Sequence, residues 1–424
     1  MIGMERYEEH KNVEAEWLGK IPATWQAVRM KYLFRDHSEK NKPDEELLSV
    51  TQSQGVVPRS WVDSRMVMPS GNLESFKFIR EGDFAISLRS FEGGLEYCYH
   101  DGIISPAYTV LKLRTDLSAA YYKYLLKSTS FISEIQTSVV GIREGKNISY
   151  PELSYSILPI PPLPEQTAIA TFLDRKTAAI DRAVAQKERL IELLRERKRI
   201  VVQRAVTRGL DEGVEMRDSG VEWIGEIPAH WEVKLFKYIA TIRNGQVDPK
   251  LPIYKNQILI APNHIEKGTG RILGLETADQ QGAESGKYQF QKDDLIYSKI
   301  RPELRKVCLA PTFGLCSADM YAISPTNEVL SEWLLLVFLS EEFNDWMTNQ
   351  SMRVAMPKVN REDVNNYPIL IPPTDEQTEI VEEIKSVSAK TDRAIHHQTQ
   401  QIAKLREYRS VLIDGAVTGK FRVS

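Results

Sequence analysis

The sequence predicts an α/β (α+β) protein with a pseudo-twofold internal repeat: two mixed α/β globules are separated by two long helices, which pair as an antiparallel coiled coil. Three observations carry this. Residues 161–210 read as one helix, because Pro161, Pro162 and Pro164 release the chain near Glu165 and no further proline occurs before Leu210. Residues 372–421 then match residues 161–210 without a gap. Pro162 falls on Pro373, Glu165-Gln166-Thr167 on Glu376-Gln377-Thr378, Asp181-Arg182-Ala183 on Asp392-Arg393-Ala394, and Ala205-Val206-Thr207 on Ala416-Val417-Thr418. Finally, the motif from Trp17 to Trp25, WLGKIPATW, returns from Trp223 to Trp231 as WIGEIPAHW. A repeat of this length, about 210 residues, is a duplicated domain rather than a solenoid.

The organisation follows as a first globule over residues 1–160, a central helix over 161–210, a second globule over 211–371 and a C-terminal helix over 372–424. In the first globule, Phe84 to Leu88 and Tyr108 to Leu113 are strand-sized apolar runs bounded by turn residues, and Ser118 to Lys127 and Phe131 to Gln136 are helical. In the second, Gln257 to Ala261 and Asp294 to Ser298 are strands, and Val329 to Trp346 is one helix. Gly82 to Ser87 aligns with Asp293 to Ser298, and Asn147 to Leu153 with Lys358 to Val364, whereas His37 to Gly71 and Asn244 to Gly286 show almost no correspondence. Each globule therefore presents its own surface on a common scaffold. In the helices, Ile169, Leu173, Ile180, Val184, Ile191 and Leu194 draw a narrow stripe in the first, and Ile380, Ile384, Val387, Ile395, Ile402 and Leu405 in the second. Each stripe calls for the other as partner.

Composition narrows the function. A net charge of −3 excludes a protein that holds nucleic acid by bulk positive charge. The opening MIGMERYEEHKNVEAEW is too charged for a secretory signal, and Trp333 to Leu339 is far too short an apolar run to span a bilayer, so a cytoplasmic protein is expected. Cys98, Cys308 and Cys316 form no C-x-x-C pair and the histidines no zinc spacing, so no metal is expected. Gly268 to Gly274 has the wrong spacing for a dinucleotide fingerprint, and Gly282 to Tyr288 is too short for a phosphate loop; both read as turns. Asp83 and Asp294 lack a partner acid or base at fixed spacing and read as turn residues. No N-P-P-Y or D-P-P-Y occurs, so no catalytic residue is expected.

Basic side chains offer a binding surface instead. Arg59, Arg65, Lys77, Arg80 and Arg89 lie among Trp61, Phe76 and Phe91 in the first globule, and Lys299, Arg301, Arg305 and Lys306 near Tyr297 in the second. Arg143, Lys146, Arg353 and Lys358 precede the two helices. Arginine forks read guanine edges and lysines neutralise phosphates, so these thirteen residues are the candidates for contacting DNA.

Two globules, each opened by W-[LI]-G-x-I-P-A-x-W and closed by prolines, E-Q-T and a long helix, resemble the specificity subunit of a type I restriction-modification system over essentially the whole chain. The resemblance implies that each globule is a target recognition domain reading one half of a split double-stranded DNA site. It implies that the helices act as spacer and as docking site for two modification subunits, with two restriction subunits completing the complex. It also implies that this chain performs no chemistry and holds no cofactor: S-adenosylmethionine, ATP and magnesium belong to the partners. Helices of about 40 residues reach roughly 60 Å, and half-sites about one helical turn apart fall on one face of the duplex. The rival readings are a coiled-coil adaptor, a stand-alone DNA-binding protein without restriction-modification partners, and a self-contained methyltransferase or nuclease.

Overall fold

The computed structural model describes residues 5–62, 73–87, 90–114, 116–137, 139–140, 147–351 and 358–423. The chain forms two compact units. One contains residues 1–188 with 398–424; the other contains residues 189–397. The first long helix, Leu163–Arg208, begins in one unit and ends in the other, and the second, Thr374–Val417, does the reverse.

Each unit is built on an antiparallel four-stranded sheet, and strand order is the same in both. In the first unit it runs Phe34–His37, Thr109–Leu113, Phe84–Ile86, Glu96–Tyr97; in the second, Ala240–Ile242, Met320–Pro325, Leu295–Ser298, Val307–Leu309. A second layer also agrees. Gly102–Ile104 pairs antiparallel with Lys77–Ile79 and meets Leu47 through a parallel bridge, and Gly314–Cys316 pairs antiparallel with Lys287–Phe290 and parallel with Leu259–Ile260. Leu47 and Leu259 come from the stretches in which the two halves share almost no sequence. Pattern therefore persists there after identity is lost, because what the position needs is an apolar residue beside a glycine strand. A Cβ on Gly102 would come within 2.3 Å of the Glu46 carbonyl, and one on Gly314 within 2.6 Å of the Ile258 carbonyl.

The elements read from sequence lie close to where they were expected, with two corrections. The first long helix starts at Leu163, ahead of Glu165, because Pro164 falls in the first turn, where a missing N–H leaves no bond unmade; the second starts at Thr374, where the first copy has Leu163. The run Val329 to Trp346 is two helices, Ser331–Leu339 and Glu341–Ser351; Ser340 stands between them in extended conformation (φ −65°, ψ 159°), its hydroxyl bonded to the Val337 carbonyl.

In the first unit Ile169, Leu173 and Ile180, from the start of the first long helix, share one core with Leu412, Ile413, Ala416 and Val417 from the end of the second. Polar contacts continue the pairing: Arg409 lies 3.3 Å from Asp181 and Arg406 2.8 Å from Glu188, and Lys187 donates to Gln398 and Gln401. In the second unit Ala205 and Val206, late in the first helix, share a core with Ile380, Val381 and Ile384, early in the second, and Lys198 pairs with Asp392 at 2.9 Å. Numbers rise on one helix as they fall on the other, so the pairing is antiparallel within each unit.

Candidate nucleic-acid interface

The repeated tryptophan motif and the repeated E-Q-T meet in space, and the same bonds join them in both units. Trp25 is fully buried and donates its indole N–H to Glu165 at 3.0 Å; Trp231 donates to Glu376 at 3.1 Å. The next residue holds the neighbouring helix. Gln166 Oε1 accepts from the backbone N–H of Ser118, at the N-terminus of Ala119–Leu125, and Gln377 Oε1 accepts from Leu330, at the N-terminus of Ser331–Leu339, both at 2.9 Å. Their amide nitrogens donate back to Pro161 and Pro372. These buried glutamines satisfy helix-end donors that have no intrahelical partner. The opposite side of each tryptophan faces the end of the other long helix: a Cβ on Gly419 would sit 3.2 Å from the Trp25 ring, and one on Gly209 3.3 Å from Trp231. Both glycines have φ of +72°, the left-handed conformation that closes a helix. The motif glycines Gly19 and Gly225 are likewise left-handed, at +63° and +72°. The shared residues thus build the scaffold, and the unshared ones are left to differ.

The basic candidates other than Lys299 divide three ways. Arg65, Arg89, Arg143, Lys146 and Arg353 lie outside the described residues. Lys77, Arg305 and Lys306 are engaged by the protein itself: Lys77 donates to the Tyr108 carbonyl, Lys306 to the Pro262 carbonyl, and Arg305 lies 3.5 Å from Glu341 and reaches the Leu339 carbonyl. Arg80, Arg301 and Lys358 are exposed, and Arg59 is half-buried on a 3-10 turn with Trp61. The indole of Trp61 is 62% exposed with its ring edge-on to His100, centroids 5.0 Å apart. Trp61 thus stands in the unshared part of the first globule as a free aromatic surface of the kind that packs against nucleic-acid bases.

Lys299 differs from the others. The residue is 8% exposed, and its ammonium sits 5.8 Å from the Tyr288 ring centre and 5.1 Å from that of Tyr321. Burial pushes its pKa down, and the charges of Lys358 and Arg361 push the same way. The backbone around it is held on both sides: its N–H donates to the Asp319 carbonyl and its own carbonyl accepts from Val359. Arg361 lies over the same Tyr321 ring and donates to the carbonyls of Ile242 and Arg243. Tyr288, Tyr321 and Arg361 were not legible as site residues, although Arg361 lies in one of the segments that align between the halves.

The remaining chemistry-bearing groups are structural. Asp83 and Asp294 accept from the backbone N–H three residues before them, as turn residues do, and Asp294 also pairs with Arg243. Gly268 and Gly270 turn the chain between the bridged Ile265 and Ile272. The three cysteines are free and buried, their thiols pushed up to about 12 by burial. Among the described residues no cluster of His, Cys, Asp or Glu could hold a metal ion, and no helix is long and apolar enough to cross a membrane.

A duplicated scaffold that keeps its internal joints identical while its outer loops diverge defines a protein of paired recognition modules. Residues 228–404 match the family model described as the type I restriction modification DNA specificity domain. The chain is 26% identical over 427 residues to the type I restriction enzyme EcoDI specificity subunit of Escherichia coli, covering 95% of this chain and 90% of that one. It is 23% identical to the MjaVIII specificity subunit of Methanocaldococcus jannaschii, covering 100% and 99%. Its fold resembles a chain from a structure of the type I R-M system, with a TM-score of 0.68 at 16% identity over 94% of this chain and 98% of that one. It also resembles the HsdS subunit from Thermoanaerobacter tengcongensis, at 0.54 and 15% over 95% and 98%. Residues 228–404 thus carry the match to the DNA specificity domain, and the chain as a whole is similar to type I restriction-modification specificity subunits.

Proposed function

We propose that this chain gives a type I restriction-modification complex its DNA sequence specificity, each globule reading one half of a bipartite double-stranded site. One observation carries the reading: two copies of one scaffold, joined by the same tryptophan-to-glutamate and glutamine-to-helix bonds, carry different residues over His37 to Gly71 and Asn244 to Gly286. A duplication that kept its joints while its surfaces diverged suits two readers of unlike half-sites better than an adaptor, which needs no divergent surfaces. The paired helices set the gap between the half-sites and dock two modification subunits, with two restriction subunits completing the assembly. Methyl transfer from S-adenosylmethionine, ATP-driven translocation and magnesium-dependent cleavage fall to those partners, and this chain acts without a cofactor in the cytoplasm. Modest acidity fits a subunit that reads bases while others neutralise phosphate. The test exchanges residues 34–146 for the matching region of a relative and maps methylation across a host genome. One half of the methylated motif should change and the other stay; a change in both halves would refute the modular reading.

A further inference from the structure

A lysine ammonium taken out of water is costly unless a carboxylate or a hydrogen-bond acceptor receives it. Lys299 has neither among the described residues. The residue is 8% exposed, and its ammonium makes ring contacts with Tyr288 and Tyr321 and, among the described residues, no ion pair. Asp319 acts on it only from beyond ion-pair distance, and Lys287 nearby is spent on Ser285. Positive charge gathers around it: Lys358 is exposed on the bridge partner of Ile300, and Arg361 shares the Tyr321 ring. Tyr321 is itself fixed, its hydroxyl donating to the Val359 carbonyl at 3.1 Å. The protein thus holds one cation in a fixed place, largely enclosed and, among the described residues, with no carboxylate within ion-pair distance.

We propose that Lys299, caged by Tyr288 and Tyr321 and flanked by Lys358 and Arg361, is a phosphate-binding site through which the second globule grips the DNA backbone. This rests on the reading of the chain as a DNA-specificity subunit. A phosphate fits better than a base edge because three cations converge here, and convergent positive charge answers a full negative charge rather than a neutral acceptor. A desolvated ammonium gains more from an anion than a solvated one does, since the local dielectric is lower. The contact positions the globule on the duplex and carries no sequence information.

The full chain assembled with its modification subunits is titrated with its own target duplex across a range of salt concentrations. For Lys299→Met, the slope of log K against log salt should fall by about one relative to wild type, with weaker binding to target and unrelated duplexes alike and an unchanged methylated motif. Lys358→Met, at an exposed position, should also lower the slope, and it carries the test if Lys299→Met does not fold. Lys292→Met, at an exposed lysine of the same globule, should leave the slope as it is. An unchanged slope in both Lys299→Met and Lys358→Met overturns the proposal. Relaxed preference at a single base position in Lys299→Met also overturns it, because the lysine would then read a base edge. A wild-type complex with no preference for any duplex fails the underlying functional reading instead.

Discussion

Glu165 and Glu376 each hold a buried tryptophan N–H at the junction where a globule meets its helix. Removing one orphans a donor in the core, where the cost is about 1–3 kcal/mol. Glu165→Ala should therefore lower the stability of the first unit by that amount and Glu376→Ala that of the second, followed as loss of hydrogen-exchange protection in the unit concerned. Equal loss in both units from either change would argue against separate joints. Glu96 gives a pH effect. It is fully buried in the strand Glu96–Tyr97, where it faces Ala85 as Cys308 faces Ile296 in the equivalent strand pair of the second unit. Lys127 lies 2.7 Å away, yet desolvation outweighs that attraction and raises its pKa from 4.5 to about 7. Between those values the folded carboxyl keeps a proton that the unfolded chain releases. Stability of the first unit is thus highest below pH 4.5 and falls as pH rises to 7, by on the order of 3 kcal/mol from this group. Glu96→Gln should flatten that fall in urea titrations run at several pH values; an unchanged slope would mean that other groups cause it. At this scale the sequence was uneven. Repetition marked Glu165 and Trp25 as positions that each recur in the second half, though not as partners, whereas Glu96 is one acidic residue among 58 Asp and Glu, and burial alone marks it out.

Along the long helices the apolar stripe is not uniform. Ile169 and Leu173 are fully buried within the globule core, Ile191 is 8% exposed, and Leu194 is only half-buried, close to the exposed Leu190, Leu193 and Ile200. A periodic pattern gives the face of a helix that turns inward, but how deep it goes depends on what else packs there. Leu173→Ala should cost about 2–5 kcal/mol, whereas Leu194→Ala should cost clearly less, because a half-buried site leaves a smaller cavity. Comparison of melting temperatures for the two variants checks this, and equal losses would place the whole stripe in one core. The same reasoning explains the break at Ser340. Trp333, Val337, Phe338 and Phe343 are all buried, so the stripe across Val329 to Trp346 reads as continuous, but the serine hydroxyl takes the Val337 carbonyl and offers itself to Phe343 N–H, which ends one helix and starts the next.

For the molecule as a whole, the proposed role of the helices as a ruler has a direct test. Four residues inserted after Ala185 add about one turn and roughly 6 Å while keeping the stripe nearly in phase. The methylated motif should keep both halves and gain one or two base pairs of gap, at about 3.4 Å per step. An unchanged gap would move the ruler to the modification subunits. Duplication made this architecture legible in the sequence, since in-register identity over the helices leaves little else to infer; the outer layer stayed hidden because its apolar positions are filled by different residues in each half. The interleaving of the two units also bears on how the protein is made. The first unit needs residues that the ribosome supplies only after the whole of the second: Tyr121 donates to the Val417 carbonyl at 2.7 Å, Gly419 lies against Trp25, and Phe421 is in the same core. Residues 189–397 are all synthesised before that core can close. Domains usually fold in the order they emerge, at about 5–20 residues per second. Here residues 1–188 must wait, partly open, until residues 398–424 have followed the whole of the other unit, and a chain cut between the two loses the closing part of the first unit. Deleting residues 398–424 should expose the N-terminal globule to limited proteolysis while the 189–397 unit keeps more of its resistance, and the reverse pattern would contradict this order.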